Sequence, residues 1–175
     1  SVSSLSSSSG TPAKKKREKK PWVPVEPPKK TASKPLQLPN GTTIQIMDDV
    51  LGKYSAHTGF RSGDLGAMAP MGNGEFAMIF GDSFRGNFGD DWMSPVGVIA
   101  KMDENGYIEI VRPIDNSYRV DDMISYHHVN NLTLIPSDVI NIDGTLYMQG
   151  MWNEGLGNVR GTQIWKSTDQ GQTWS

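Results

Sequence analysis

Short turn signatures recur along the chain at intervals that leave room for strands and little else. Glu104-Asn105-Gly106 interrupts "VGVIAKMDENGYIEIVR", Asp143-Gly144 interrupts "DVINIDGTLYMQGMW", and Asp169 and Gly171 sit in the turn of "TQIWKSTDQGQTWS". Asn-Gly and Asp-Gly pairs reach the positive φ angles that two-residue hairpin turns require. Between the turns, the apolar residues keep no 3.6-residue period over ten or more positions, so helices are not the main element. Strands recurring roughly every ten residues and joined by hairpins predict an all-β fold: a sandwich, a barrel or a propeller.

The last hairpin chooses among these. Ser167-Thr168-Asp169-Gln170-Gly171-Gln172-Thr173-Trp174 fits S-x-D-x-G-x-T-W, and so resembles the Asp-box of sialidase-like β-propellers. In such a turn Asp169 accepts N–H groups, Gly171 supplies a positive φ and Trp174 plugs the seam between blades. The motif is structural, and Asp169 receives no catalytic role. The hairpins amount to about two four-stranded blades, against about four to eight in a closed propeller. The expectation is therefore the N-terminal portion of a larger propeller, with the remaining blades supplied by the rest of the chain or by a cleaved partner.

Charge divides the sequence. Residues 1–40 hold nine Lys/Arg and two Glu, a local charge of +7; the other 135 residues hold eight Lys/Arg and 17 Asp/Glu, or −9, which together give −2. The first segment is rich in Ser, Lys and Pro with almost nothing to bury, which predicts a disordered or extended tail over 1–40 and an incomplete propeller domain over 41–175. Its KKKREKK run reads as a solvated linker and not as a specific nucleic-acid site, because no aromatic residues interleave with it. No apolar run approaches the roughly 20 residues of a membrane span. The chain begins at Ser1, which leaves room for a removed leader. It contains no Cys, so disulfides and thiolate metal sites are excluded.

Within "SGDLGAMAPMGNGEFAMIFGDSF", Asp64 and Asp82 each stand beside a glycine, nine residues before and nine after Asn73. A hairpin turning at Gly72-Asn73-Gly74 places the two carboxylates across from each other on one face, with Pro70 disturbing the first arm. Two turn aspartates are the plain alternative. As a pair at one end of inner strands, mutual repulsion and apolar neighbours would raise one pKa and leave the other group ionised, which is what acid/base hydrolysis of a glycosidic bond requires.

The stretch from Arg61 to Asp103 resembles the N-terminal signature of a propeller family long labelled a domain of unknown function. Its pattern is T/S-x-D-L-G, an apolar strand into F-G-D-[ST]-F, then W-x-S-x-V-x-A-x-[ST]-x-D, and the likeness extends over roughly residues 59–174. Members of that family are recognised as endo-D-arabinanases of actinobacteria and some of their phages. They are five-bladed propellers that cut cell-wall D-arabinan with inversion. The resemblance carries the family's catalytic pair onto Asp64 and Asp82; Asp64 is the working assignment for the acid and Asp82 for the base, though the sequence does not order them. Ser83 replaces the commoner Thr, and Met93-Ser94-Pro95 replaces a polar segment. An inverting site needs carboxyls roughly 6.5–9.5 Å apart, so twist or a one-residue offset should separate the pair.

Candidate substrate-binding residues surround it. Trp92 could stack on a furanose, and Arg85 could donate to hydroxyls or set the pKa of Asp82. "SYHHVNN" offers His127, His128 and Asn130, while Trp152 and Asn153 end a later strand. Adjacent histidines on a strand point oppositely, so no metal site is expected from them. No cofactor is implied. Asp48-Asp49, Asp90-Asp91 and Asp121-Asp122 are candidate ligands for a structural calcium, although such pairs are more often solvated loop ends. The leading expectation is an extracellular or virion-borne hydrolase acting on wall D-arabinan. The competing one is a wall-binding or structural component, such as a phage tail protein held in an assembly by the basic tail. A sialidase-like exo-enzyme is disfavoured, because neither its arginine cluster nor its Tyr nucleophile is discernible.

Overall fold

The computed structural model describes residues 19–175, and residues 1–18, with most of the KKKREKK run, lie outside the described part. The chain is all-β. Strands β1 (Leu36–Gln37) and β2 (Thr43–Ile44) form a short ribbon. Strands β3 (Ser62–Pro70), β4 (Glu75–Phe84), β5 (Val96–Met102) and β6 (Ile108–Pro113) form a four-stranded antiparallel meander in sequence order. Strands β7 (Leu132–Ile142), β8 (Thr145–Glu154) and β9 (Val159–Ser167) form a three-stranded one. Among the described residues no α-helix occurs, only three single turns of 3₁₀ helix.

The two meanders pack as neighbouring blades, with β3 and β4 against β7, the arrangement of part of a β-propeller. Their seam is one apolar cluster. Ile79, Ile99 and Ile114 from the first blade meet Leu134, Leu146, Met148 and Trp165 from the second, and Trp174 packs on its margin. The other face of the first blade rests on Phe60 and Val120 of the flanking loops. β5 is therefore covered on both sides, and this is why "VGVIA" reads as a continuous apolar run and not as an alternation.

Each expected turn forms for the stated chemical reason. In the β5–β6 turn the Asp103 carboxylate accepts the Asn105 and Tyr107 amides, both at 2.9 Å, with Gly106 at φ 87°. Asp143 (φ 51°) and Gly144 (φ 88°) make the β7–β8 turn. The Asp-box closes as its chemistry demands: Asp169 accepts Ser167 Oγ (2.7 Å), the Thr173 amide (2.9 Å) and Thr173 Oγ1 (2.6 Å). Burial alone would raise the pKa of Asp169, but these donors outweigh it and hold the carboxyl below its ordinary value. Trp174 donates to the Gly171 carbonyl (2.9 Å), and the Ser175 and Lys166 backbones exchange two hydrogen bonds (2.9 and 3.0 Å).

From Lys19 onward the basic tail is extended along the outer side of the first blade. Pro21 bridges Ser117, the Trp22 amide donates to Asn116 O (3.0 Å), and Lys30 Nζ donates to the carbonyls of Asp49 and of Ile108 on β6, both at 2.6 Å. The Ala32 amide donates to the Tyr107 hydroxyl (2.9 Å). The β1–β2 ribbon straddles residue 40, so the boundary expected there falls inside a structural element. Among the described residues no helix is long and apolar enough to cross a membrane.

Candidate active site

β3 and β4 pair in a register centred on Asn73, from Ser62↔Phe84 and Gly63↔Ser83 at one end to Pro70↔Phe76 at the other. The ladder breaks between Gly63 and Leu65 and again before Ala67. Leu65 (φ 68°) and Gly66 (φ 91°) both adopt left-handed backbone there. Asp64 thus sits at an irregularity opposite Asp82 and outside the regular ladder, the kind of bulge that re-aims a side chain. Its carboxyl lies over the backbone of the other strand: a methyl group at Gly81 would overlap Asp64 Oδ1 and come within 3.0 Å of Leu65 Cδ1. Gly81 is the residue immediately before Asp82, and it is a glycine because a carboxyl occupies the space of its side chain.

This position determines the ionisation of Asp64. Although the residue as a whole is open to solvent, its carboxyl is tucked against β4. Burial pushes its pKa up and the nearby Asp82 charge pushes it further, and the amides of Asp82 and of Asp64 itself offset this only in part. Asp64 is the carboxyl held toward its protonated form.

The loop from Arg85 to Trp92 returns the chain to the same place. Asp90 organises it, accepting the Asn87 amide through Oδ2 (3.0 Å) and the Arg85 amide through its carbonyl (3.0 Å). Ser83 and Met93 then bridge, which brings the Trp92 indole beside Asp82, and Nε1 donates to Asp82 Oδ1 at 2.7 Å. One indole face lies flat on the His128 ring, with centroids 3.7 Å apart at 14°. Tyr126 stands edge-on to His128 (5.1 Å) and to Trp152 (5.0 Å), and Trp152 in turn to the core residue Trp165 (5.8 Å).

Ser94 fastens this cluster across the seam. Its Oγ donates to Leu134 O (2.7 Å), its amide donates to Asp122 Oδ1 (2.9 Å), and its carbonyl accepts the Tyr126 hydroxyl (2.7 Å). The same hydroxyl accepts the Leu134 amide (2.9 Å). The Ser94–Pro95 peptide bond is cis. Burial raises the Tyr126 pKa to about 12, with the negative charges of Asp122 and Asp82 adding to it. Burial likewise raises Asp122, against the Ser94 amide and the neighbouring His128.

Of the residues singled out from the sequence, Asp64, Asp82, Trp92 and His128 converge, and Trp152 reaches them through Tyr126. Arg85 does not. It lies one residue past the end of β4, in the loop that Asp90 organises. Its Nη1 donates to Gly59 O and Val120 O, both at 3.1 Å, and Nη2 lies 4.0 Å from Asp121, so the guanidinium ties these loops together. His127 and Asn130 are exposed on left-handed turn positions, without side-chain hydrogen bonds among the described residues. Asn153 is buried, with Nδ2 donating to Met151 O (3.3 Å). Asp122 and Tyr126 also belong to the cluster, although their sequence context does not mark them as site residues. Tyr126 lay inside the "SYHHVNN" run, and Asp122 was visible only as half of an Asp-Asp pair.

Among the described residues no group of three or more His, Cys, Asp or Glu side chains is arranged to hold a metal ion. In the Asp-Asp pairs, Asp48, Asp90 and Asp122 each spend a carboxylate oxygen on a backbone amide. A depression of about 350 Å³ between the tail and the β5–β6 turn, lined by Glu26, Pro28, Lys30, Asp103 and Tyr107, lies at the far end of β5 from Asp82.

Residues 52–175 match the family model described as "Domain of unknown function (DUF4185)". The chain belongs to the DUF4185 family. The match runs from the loop before β3 to the end of the Asp-box, so it takes in both blades and every residue of the cluster and leaves out the tail and the β1–β2 ribbon. No match was found among curated proteins. DUF4185 membership fits the blade architecture, and the description attached to the family names no activity.

Proposed function

We propose that the chain is an inverting glycoside hydrolase that cuts D-arabinan internally, with Asp64 as general acid and Asp82 as general base. The observation that carries this reading is the Asp64 carboxyl, seated over Gly81 beside Asp82 and pushed toward its protonated form by burial and by the Asp82 charge. A carboxyl held toward its protonated form close to a second carboxyl and an aromatic surface is an arrangement that glycosidic hydrolysis can use. Asp64 gives its proton to the departing glycosidic oxygen as the bond to the anomeric carbon breaks. Asp82 takes a proton from the water that attacks that carbon from the opposite face, and solvent exchange then restores both groups. The resemblance of "SGDLG" and "FGDSF" to endo-D-arabinanases supports the substrate class, and wall polysaccharide as substrate supports a site of action outside the cell or on a virion.

A second reading, a wall-binding component, draws on the extended tail fixed along β6, which suits an element of a larger assembly. One experiment separates the two. Purified D-arabinan is incubated with the protein and with Asp64→Asn and Asp82→Asn, and the products are sized by mass spectrometry. The hydrolase reading expects oligosaccharides from the parent and at least about 10³-fold less from either variant, with polysaccharide binding retained. Binding without cleavage by the parent supports the second reading; near-normal cleavage by either variant removes the assigned pair.

A further inference from the structure

The Trp92 indole is oriented for more than sugar stacking. Its only donor is spent on Asp82 Oδ1 at 2.7 Å, which restrains the carboxylate's rotation and leaves Oδ2 without a hydrogen bond among the described residues. Yet Trp92 sits on a loop and remains 42% exposed, so something must hold it. That support is His128, stacked flat on it at 3.7 Å. His128 is itself braced: Nδ1 lies 3.3 Å from both the Leu132 carbonyl and the Tyr126 hydroxyl. Tyr126, tied to Ser94 and Leu134, closes off its edge.

The backbone beneath His128 carries a further sign. His127, His128, Asn130 and Asn131 have φ between 48° and 57°, four left-handed residues in five positions. Outside glycine such conformations are strained, least so for Asn and His, and persist where the surroundings over-determine them.

We propose that Trp92 and His128 form a positioning arm for Asp82, through which the second blade orients a carboxylate carried by the first. Trp92 is the arm and His128 its support; neither exchanges a proton in the reaction. This rests on the reading of Asp82 as the base. Trp92→Phe keeps a ring on His128 and removes the donor. His128→Phe keeps the flat support while removing both the Nδ1 contact to Leu132 and Nε2, a buried nitrogen with no hydrogen-bond partner among the described residues, so it isolates the stack from the ring's polar contacts. His128→Ala removes the support.

The test has two arms. In kinetics on D-arabinan with the full protein, Trp92→Phe should lower kcat about 10²-fold with KM little changed, as expected for a displaced base. His128→Ala should behave likewise, and His128→Phe should restore kcat. In ¹H–¹⁵N spectra the Trp92 indole resonance should titrate with the Asp82 carboxylate, lose that response in Asp82→Asn, and lose it in His128→Ala but keep it in His128→Phe. A Trp92→Phe variant with raised KM and parental kcat makes Trp92 a binding platform only and overturns the proposal. So does an indole resonance whose pH response survives His128→Ala. If the parent protein cleaves no D-arabinan while the indole still reports Asp82, the hydrolase reading falls and the positioning of Asp82 stands on the spectra.

Discussion

Asp64 and Asp82 are the same residue type in one short segment, and their surroundings make them different. Asp82 has the Trp92 N–H on one oxygen, whereas Asp64 rests on the bare backbone of Gly81 with its carboxyl partly withdrawn from water. The sign of the consequence follows from linkage. The folded-state pKa of Asp64 is raised above 3.8, so the stability it contributes is whole below pH 3.8 and is lost as pH rises through the raised value. Asp64→Asn, neutral at every pH, should therefore have a higher urea midpoint than the parent at neutral pH, with the difference closing in acid. Part of the raise comes from the Asp82 charge, so in an Asp82→Asn background the same substitution should gain less. Equal gains in both backgrounds would mean the carboxyls do not sense each other.

The β3–β4 hairpin shows what the sequence made legible at the level of elements. The glycine-flanked Asn73 and the equal spacing of Asp64 and Asp82 determine the register, because turn chemistry and strand period are both local. The Asp-box is readable for the same reason, since all its donors and acceptors fall within eight residues. Arg85, Tyr126 and Asp122 were not readable in this way. Arg85 reaches Val120, Tyr126 reaches Ser94, and Asp122 caps Ser94, and these are contacts between loops that no periodicity relates. The extended tail was half legible: its composition forbids a core, but Lys30 finds carbonyls on β6 that only the folded blade presents. Leu65 offers a test of the bulge. It is exposed and left-handed, so Leu65→Gly should raise stability by about 1 kcal/mol in denaturant titration by relieving the backbone. A loss of stability would mean that the Leu65 side chain holds Asp64 in place.

At the scale of the molecule, the site is a property of the seam. Asp64, Asp82 and Trp92 belong to the first blade and its loops; Leu132 and Leu134, which support His128 and Tyr126, belong to the second. The cluster of Ile79, Ile114, Leu134 and Trp165 sets the distance between the two halves, and Gly171 of the Asp-box leaves room for Ile114, whose side chain would lie 2.7 Å or less from an added methyl group. A motif that is structural in itself thus helps to hold the candidate acid and base beside the aromatic surface across the seam. The assignment of those two roles is tested most directly by chemical rescue of alanine variants on arabinofuranosyl oligosaccharides. Asp64→Ala should regain turnover when the leaving group is an activated phenol that needs no protonation. Asp82→Ala should regain it only with added azide, yielding a glycosyl azide of inverted configuration. Rescue in the opposite sense, or near-parental turnover by either variant without rescue, would contradict the account.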